Sequence, residues 1–184
     1  MDILTPLRAA IGNANVLTGK DTAKWQSDWM GVYALDPIAV LRPANTAEVS
    51  AIMEIAHASG TPVVPVSGNT GLVGGTQAKG ALMLSVDRMN TIREVRPASR
   101  IAIVEAGVIL SALHDAAASH DLIFPLTFGA RGSAMIGGVL STNAGGSNVV
   151  RYGNTRDLCL GLEVVLADGR VMDLMSELHK DNSG

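Results

Sequence analysis

The chain has 184 residues, of which 47% are hydrophobic, 17% charged and 3% aromatic, with a net charge of -3. That length suits one domain with a real core, while the acidic balance and the few aromatics (Trp25, Trp29, Tyr33, Phe124, Phe128, Tyr152) exclude a general nucleic-acid binder. The single cysteine, Cys159, excludes an internal disulfide framework and a multi-cysteine zinc site, and fits a reducing compartment.

The start, Met1-Asp2-Ile3-Leu4, lacks the basic and long apolar regions of a secretory leader. The uncharged runs 55–78 and 132–150 carry glycine with Asn, Ser, Thr or Pro, so neither reads as a membrane span. The expectation is a soluble, cytoplasmic protein. Asp2–Ile11 has apolar residues at Ile3, Leu4, Leu7 and Ile11, which suits a short amphipathic helix interrupted early by Pro6. Thr18–Met30 is polar and reads as a loop, with Trp25 and Trp29 expected to pack against that helix. Ile38-Ala39-Val40-Leu41 is a short strand between prolines. Asn45–Ser59 is the clearest helix: Val49, Ile52, Met53 and Ala56 share a face, Asn45 with Glu48 resembles a capping box, and Gly60 sits where a glycine stops a helix.

Pro62–Val66 follows as a strand, so that strand, helix and strand make a right-handed βαβ unit with parallel strands. Ala81–Val86, Thr91–Val95 and Ile101–Ala106 are short strands too close together for crossover helices, and are expected to be antiparallel. Ile109–His120 is a second helix with Leu110, Leu113 and Ala117 inward. Leu162–Leu166 and Val171–Leu174 form a hairpin about Asp168-Gly169. No repeat and no linker divides the chain. The fold class is α+β: a small parallel βαβ subdomain followed by a mainly antiparallel sheet with helices.

Glycine carries the functional signal. Eleven of the 20 glycines fall in two windows, five in 68–80 and six in 129–146. In the first, Gly68, Gly71 and Gly74 recur every three residues directly after a strand. Glycine permits close backbone approach, which lets successive N–H groups turn toward one anion. The loop is not a Walker A loop, because Ala81 stands where its lysine would be, and its spacing is not the G-x-G-x-x-G dinucleotide fingerprint. A mobile surface loop would also use glycine. The second window shifts the balance: Ser133 to Gly138 and Ser141 to Gly146 mix small donors with glycine in an uncharged tract. Two such tracts suit a long phosphate-bearing ligand pressed flat against backbone. They also account for a charge content well under the usual ~25% and a mean hydropathy of +0.28, which point to a surface that is covered in the working protein.

Pro65 to Gly75, Gly129-Ala130-Arg131-Gly132-Ser133 and Ile136-Gly137-Gly138 resemble the p-cresol-methylhydroxylase-type FAD-binding domain of the vanillyl-alcohol-oxidase superfamily. Thr142-Asn143-Ala144-Gly145-Gly146, Arg151-Tyr152-Gly153-Asn154 and Leu160 to Gly169 narrow the resemblance to the FAD-linked D-2-hydroxyacid dehydrogenases, and Lys180-Asp181-Asn182 to their hydroxyglutarate branch. The likeness runs from Arg42 to Gly184. It implies an extended FAD, with Val66, Ser67, Gly68, Asn69, Thr70, Gly71 and Leu72 about the pyrophosphate. Pro125, Gly129, Ser133, Ile136, Gly137, Gly138, Thr142 and Asn143 would line the flavin and ribityl side. Ser67 departs from the family, which usually has a second glycine beside Gly68. Covalent members carry a histidine in this loop; here no histidine lies between His57 and His114, so non-covalent FAD is expected.

The resemblance further implies oxidation of a D-2-hydroxy acid (D-2-hydroxyglutarate, D-lactate or glycolate) to the 2-keto acid, by proton abstraction from the hydroxyl and hydride transfer to flavin N5. Reoxidation would go to a quinone or an electron-carrier protein rather than NAD, and a homodimer is open. Relatives continue beyond the Lys180-Asp181-Asn182 segment into a substrate domain with the catalytic histidine and, in one branch, divalent metal ligands. The expectation is therefore an FAD-binding domain truncated at its C-terminus, with no catalytic or metal residue of its own. Two alternatives stand beside it: an enolpyruvyl-UDP-N-acetylglucosamine reductase-like flavoenzyme, and a non-catalytic flavin-binding module needing a partner chain. His57 reads as a helix-end residue, His114 and His120 do not share a face, His179 is solvated, and Cys159 is a small hydrophobe. Arg131, Arg151 and Arg156 flank the second window, where surface ion pairs compete with a flavin-side role for Arg151.

Overall fold

Ala39-Val40-Leu41 and Leu82-Met83-Leu84 are unbroken apolar runs, the composition of strands buried on both faces. In the computed structural model, which describes residues 2–177, they lie side by side in one four-stranded sheet. The chain forms two compact units. Among the described residues, one takes 2–89 together with Val165–Val171, and the other takes Asn90–Val164 with 172–177.

The first unit runs α1 (Leu4–Ile11), β1 (Val16–Leu17), a 3-10 segment Gly19–Trp25, β2 (Ala39–Leu41), α2 (Thr46–Ser59), β3 (Val63–Val66) and β4 (Leu82–Ser85). Its sheet has the order β1-β2-β4-β3, with β1 antiparallel to β2 and the other pairs parallel. The strand–helix–strand unit is present, but its strands are not neighbours. β4 enters between them, parallel to both, which corrects the antiparallel expectation for 81–86. The reason lies in the connection. A parallel return needs a dozen or more residues, usually a helix, and here the glycine-rich segment 67–81 makes it instead.

Strand side chains alternate between faces. Ala39, Leu41, Leu82 and Leu84 therefore pack with Leu7, Ile11, Ile52 and Ala56. Val40 and Met83 pack with Trp25, Leu35, Val66 and Ala78. β3 is the edge strand, where Pro65 removes no needed ladder bond. In α2 the Glu48 N–H donates to Asn45 Oδ1 at 2.9 Å, Glu48 Oε2 accepts the Ala44 N–H at 2.8 Å, and Gly60 ends the helix at φ 66. Pro6 does not interrupt α1. It sits in the first turn, where an N–H has no helical acceptor, and Asp2 caps that turn by accepting the Leu4 N–H at 3.0 Å and the Thr5 hydroxyl at 2.7 Å. Trp25 is buried among Leu35, Val40 and Met83 rather than against α1, and Trp29 is exposed, so neither tryptophan packs as expected.

In the second unit β5 (Ile92–Arg96) and β6 (Ile101–Val104) pair antiparallel, as expected, with a bulge between Ile92 and Glu94. α3 (Leu110–Ala118) turns Leu110, Leu113 and Ala117 inward. It shares a core with Val108, Leu126, Ala134, Ile136 and Val139. His114 is fixed to that core, its Nε2 lying 2.8 Å from the Leu126 carbonyl. Two short helices follow, α4 (Ile136–Ser141) and α5 (Val149–Tyr152), with 3-10 turns at Gly129–Gly132 and Thr155–Leu158. β7 (Leu162–Val165) and β8 (Val171–Leu174) form the last hairpin, whose turn holds Gly169 at φ 88. Among the described residues no helix is long and apolar enough to cross a membrane, and no three His, Cys, Asp or Glu converge to hold a metal. His179 and the Lys180-Asp181-Asn182 segment lie outside the described residues.

Candidate functional site

Val66 is the buried last residue of β3, so the loop that follows leaves from the carboxyl end of parallel strands. Open sheets with parallel strands place ligands there. From Ser67 to Leu72 no main-chain N–H has an acceptor within the described chain. Ser67, Gly68, Asn69 and Thr70 are half-buried, and Gly71 and Leu72 are exposed. Successive unpaired N–H donors at one strand end make an anion site, and a run with no lysine or arginine suits recognition of phosphate oxygens by backbone.

The left-handed residue in this loop is not a glycine. Asn69 has φ 50, and neither Gly68 nor Gly71 has a positive φ. The Asn69 side chain bonds elsewhere in the chain: Nδ2 donates to the Ser27 carbonyl at 3.0 Å, and Oδ1 accepts the Thr76 hydroxyl at 2.9 Å. The Asn69 main-chain N–H is left without an acceptor among the described residues. Ser67 has no positive φ either, so its replacement of the family's glycine strains nothing. A Cβ on Gly71 would meet nothing within 4 Å. Among the described residues the fold gives Gly71 no internal reason to be glycine.

The second tract is built differently. The Ile136 and Gly137 N–H groups donate to Val108 and Ala106 carbonyls at 2.9 and 2.8 Å, and a Cβ on Gly137 would come within 2.8 Å of the Ala106 methyl. Gly137 is thus required by packing. Gly129 and Ser133 are exposed, and Gly138 is half-buried. The Pro125 carbonyl accepts Asn148 Nδ2 at 3.0 Å. Thr142 donates its hydroxyl to the Gly138 carbonyl at 3.0 Å, and Asn143 holds φ 50 with its Oδ1 on the Arg156 N–H at 3.0 Å. Arg156 bonds to carbonyls rather than to an acidic side chain. Its guanidinium donates to the Leu140 and Ser141 carbonyls at 3.4 and 2.9 Å, closing the C-terminal end of α4. Arg151 lies over the Tyr152 ring at 5.1 Å.

Motif reading passes over Ser27 and Thr76, which hydrogen-bond the Asn69 side chain from 42 and seven residues away, and Asp28, whose bonds go to its near neighbours Met30, Val32 and Tyr33. Asp28 is 5% exposed and accepts main-chain N–H groups of Val32 and Tyr33 at 2.8 Å and of Met30 at 3.3 Å. These bonds, that from Tyr33 foremost, hold its carboxyl below the usual range against the cost of burial. The only local signal for this role is an acidic residue inside an otherwise apolar turn, Asp28 to Tyr33.

A glycine-rich loop leaving a parallel strand, in an α+β chain with a second glycine-rich tract, is the architecture of the p-cresol-methylhydroxylase-type fold. Solved structures share the fold. p-Cresol methylhydroxylase matches with a TM-score of 0.75 at 24% identity, over 92% of this chain and 34% of that one. 6-Hydroxy-D-nicotine oxidase from Arthrobacter nicotinovorans matches with a TM-score of 0.76 at 25% identity, over 85% and 34%. The chain belongs to the FAD binding domain family, which matches residues 37–175, and FAD is its cofactor. Among curated relatives, D-2-hydroxyglutarate dehydrogenase of Xanthomonas citri pv. viticola is 41% identical, over 89% of this chain and 35% of its own length. The mitochondrial D-2-hydroxyglutarate dehydrogenase of Bos taurus is 42% identical, over 85% and 29%. This chain spans about a third of the length of these relatives.

Proposed function

We propose that this chain is the FAD-holding part of a flavin-dependent dehydrogenase that oxidises a D-2-hydroxy acid to its 2-keto acid, D-2-hydroxyglutarate first among candidates. The observation that carries the cofactor part is the unpaired run of N–H groups from Ser67 to Leu72. The observation that carries the substrate class is the 41% identity to a protein named D-2-hydroxyglutarate dehydrogenase.

In this reading Val66, Ser67, Gly68, Asn69, Thr70, Gly71 and Leu72 hold the pyrophosphate. Pro125, Gly129, Ser133, Ile136, Gly137, Gly138, Thr142 and Asn143 line the flavin and ribityl portion. When bound, FAD supplies the hydride acceptor. The chain's own residues neutralise phosphate charge by main-chain dipoles and keep bulk from the backbone surface at Gly71. Binding is non-covalent, because no residue of the 66–72 loop is a histidine. The group that takes the hydroxyl proton is not assigned to this chain. A quinone or electron-carrier protein as acceptor, and a homodimer, belong to the same proposal and rest on the family resemblance. So does the cytoplasm as the compartment, which cell fractionation separates from the mitochondrial location in the names of some relatives.

Titrating FAD into the purified chain tests the core of this reading. Saturable quenching of flavin fluorescence is expected, with the flavin released intact on acid precipitation. A folded chain that leaves the fluorescence unchanged sinks it. Dye reduction by the protein that carries this chain, compared across D-2-hydroxyglutarate, D-lactate and glycolate, tests the substrate class.

A further inference from the structure

We infer that Asp28 is a positioning residue for the FAD loop: it closes a finger, Gln26–Leu35, whose Ser27 carbonyl holds Asn69 in its left-handed conformation. The inference rests on the reading above that Ser67–Leu72 binds FAD.

The finger is a short antiparallel turn. Ser27 and Ala34 form a bridge, the Leu35 N–H donates to the Gln26 carbonyl at 3.0 Å, and the Asp28 N–H donates to the Tyr33 carbonyl at 3.2 Å. The tip between Asp28 and Tyr33 has no ladder of its own. Its N–H groups converge on the Asp28 carboxylate, Val32 and Tyr33 on Oδ1 and Met30 on Oδ2. A carboxylate is an acceptor at both oxygens, so it satisfies all three donors; an asparagine would turn an NH2 toward the Met30 N–H.

The finger touches the glycine loop at three successive places. Ser27 O accepts Asn69 Nδ2 at 3.0 Å. The Tyr33 ring lies 3.2 Å from where a Cβ on Gly74 would stand, at φ 69. Leu35 O accepts the Ala78 N–H at 2.9 Å. The finger is therefore a rail along 69–78, and the Asn69 contact is the one that reaches the phosphate-facing part. A left-handed residue is disfavoured for L-amino acids, and asparagine occupies it routinely only with local hydrogen bonds. With the Ser27 carbonyl displaced, the chain at Asn69 is free to leave that conformation and the N–H array disperses.

The test is an FAD titration of wild type, Asp28→Ala, Asp28→Asn, Asn69→Gly, the Asp28→Ala/Asn69→Gly double variant and Ile52→Val. Asp28→Ala is expected to raise the Kd about tenfold, the effect of a binding-competent population reduced to about a tenth. Asp28→Asn should fall between it and wild type. The double variant should bind no worse than Asn69→Gly alone, because both changes cut one link. Ile52→Val, in the core beside α2, should lower stability without moving the Kd. Wild-type affinity in Asp28→Ala, or effects that multiply in the double variant, overturns the inference. If Asp28→Ala does not fold, Asp28→Asn and Asn69→Gly carry the comparison. Backbone NMR couplings at Asn69 in the ligand-free chain give a second readout. If wild type fails to bind FAD, the cofactor reading falls, and an Asn69 that stays left-handed in Asp28→Asn overturns the positioning role as well.

Discussion

Gly71 and Gly146 look alike in sequence and should behave in opposite ways when a methyl group is added. Gly71 has no positive φ, and a Cβ there has no neighbour within 4 Å. Gly71→Ala therefore acts mainly by restricting the unfolded chain, a gain of about 0.4–1 kcal/mol, which in a domain of this size raises Tm by ~1–4 °C. The same methyl stands on the surface where FAD is read to lie. Loss of one N–H bond to a charged phosphate costs about 1.5–3 kcal/mol, or roughly ten- to hundredfold in Kd. At Gly146 the Cβ would lie 2.5 Å from the Thr127 carbonyl oxygen and 2.9 Å from its nitrogen, and that carbonyl already accepts the Ser147 N–H at 3.0 Å. Overpacking against backbone costs about 1–3 kcal/mol, so Gly146→Ala should lower Tm by ~2–12 °C. Thermal unfolding followed by circular dichroism, paired with FAD titration, reads both. A Gly71→Ala chain that melts lower than wild type, or binds FAD as wild type does, would refute the assignment of Gly71 to a ligand rather than to the fold.

Other expectations follow from individual contacts. Ser50 donates its hydroxyl to the Gly169 carbonyl at 2.6 Å, tying α2 to the hairpin turn; Ser50→Ala should cost about 1 kcal/mol and ~2–4 °C in Tm. Asp2, Asp28, Glu94 and Asp168 are held below the usual carboxylate range by hydrogen bonds, led by the Thr5 hydroxyl, the Tyr33 amide, the Arg96 guanidinium and the Arg170 amide respectively. A depressed folded pKa gives stability that is full above the unfolded value and lost as pH falls through the folded one. Urea midpoints should then be flat from neutrality to about pH 5 and fall below about pH 4, and a midpoint that rises on acidification contradicts this. Burial pushes the Cys159 thiol up, and its Sγ sits 3.4 Å from the Gly161 carbonyl. Alkylation at neutral pH should be slow in the folded chain and fast in urea.

What the sequence made legible was local. Asn45, Glu48 and Gly60 marked both ends of α2, Leu110, Leu113 and Ala117 marked the inner face of α3, and Asp168-Gly169 marked a turn. Each is decided within a few residues, by capping, by helical spacing or by the turn's need for positive φ. The place of β4 was not legible. Leu82–Ser85 is as apolar as a buried antiparallel strand, and its neighbours are chosen by a connection whose length, not composition, permits a parallel return. In the candidate site, glycine spacing singled out the loop after β3 and gave only part of the source of its shape. The motif gives Gly68, Gly71 and Gly74, yet positive φ falls on Gly74 and Asn69 and on neither Gly68 nor Gly71. The bond that fixes Asn69 spans from residue 69 to residue 27, and no pattern within the motif encodes it. Arg156 was noticed beside the second window, but its role at the end of α4 was not legible for the same reason: the partners of its guanidinium are carbonyls, which every residue has.

Asn143 shows that this is a recurring solution rather than an accident of one loop. Asn69 and Asn143 both stand at φ 50, and Gly145 and Gly146 beside Asn143 have no positive φ. Each asparagine is tied to backbone from elsewhere, Asn69 to the Ser27 carbonyl and Asn143 to the Arg156 N–H. Around Asn143 the tie is reinforced, since Thr155 donates both its N–H and its hydroxyl to the Ala144 carbonyl, at 3.1 and 2.6 Å. Two costs can be separated there by substitution. Asn143→Gly keeps the left-handed conformation and loses one hydrogen bond, about 1 kcal/mol or ~2–4 °C in Tm. Asn143→Ala loses the bond and adds the left-handed penalty of about 1–2 kcal/mol, for a fall of ~4–12 °C. If conformation is what the asparagine supplies, alanine must be the worse variant by that margin. If the two melt together, the tie to Arg156 alone sets the segment, and glycine at this position would carry no advantage.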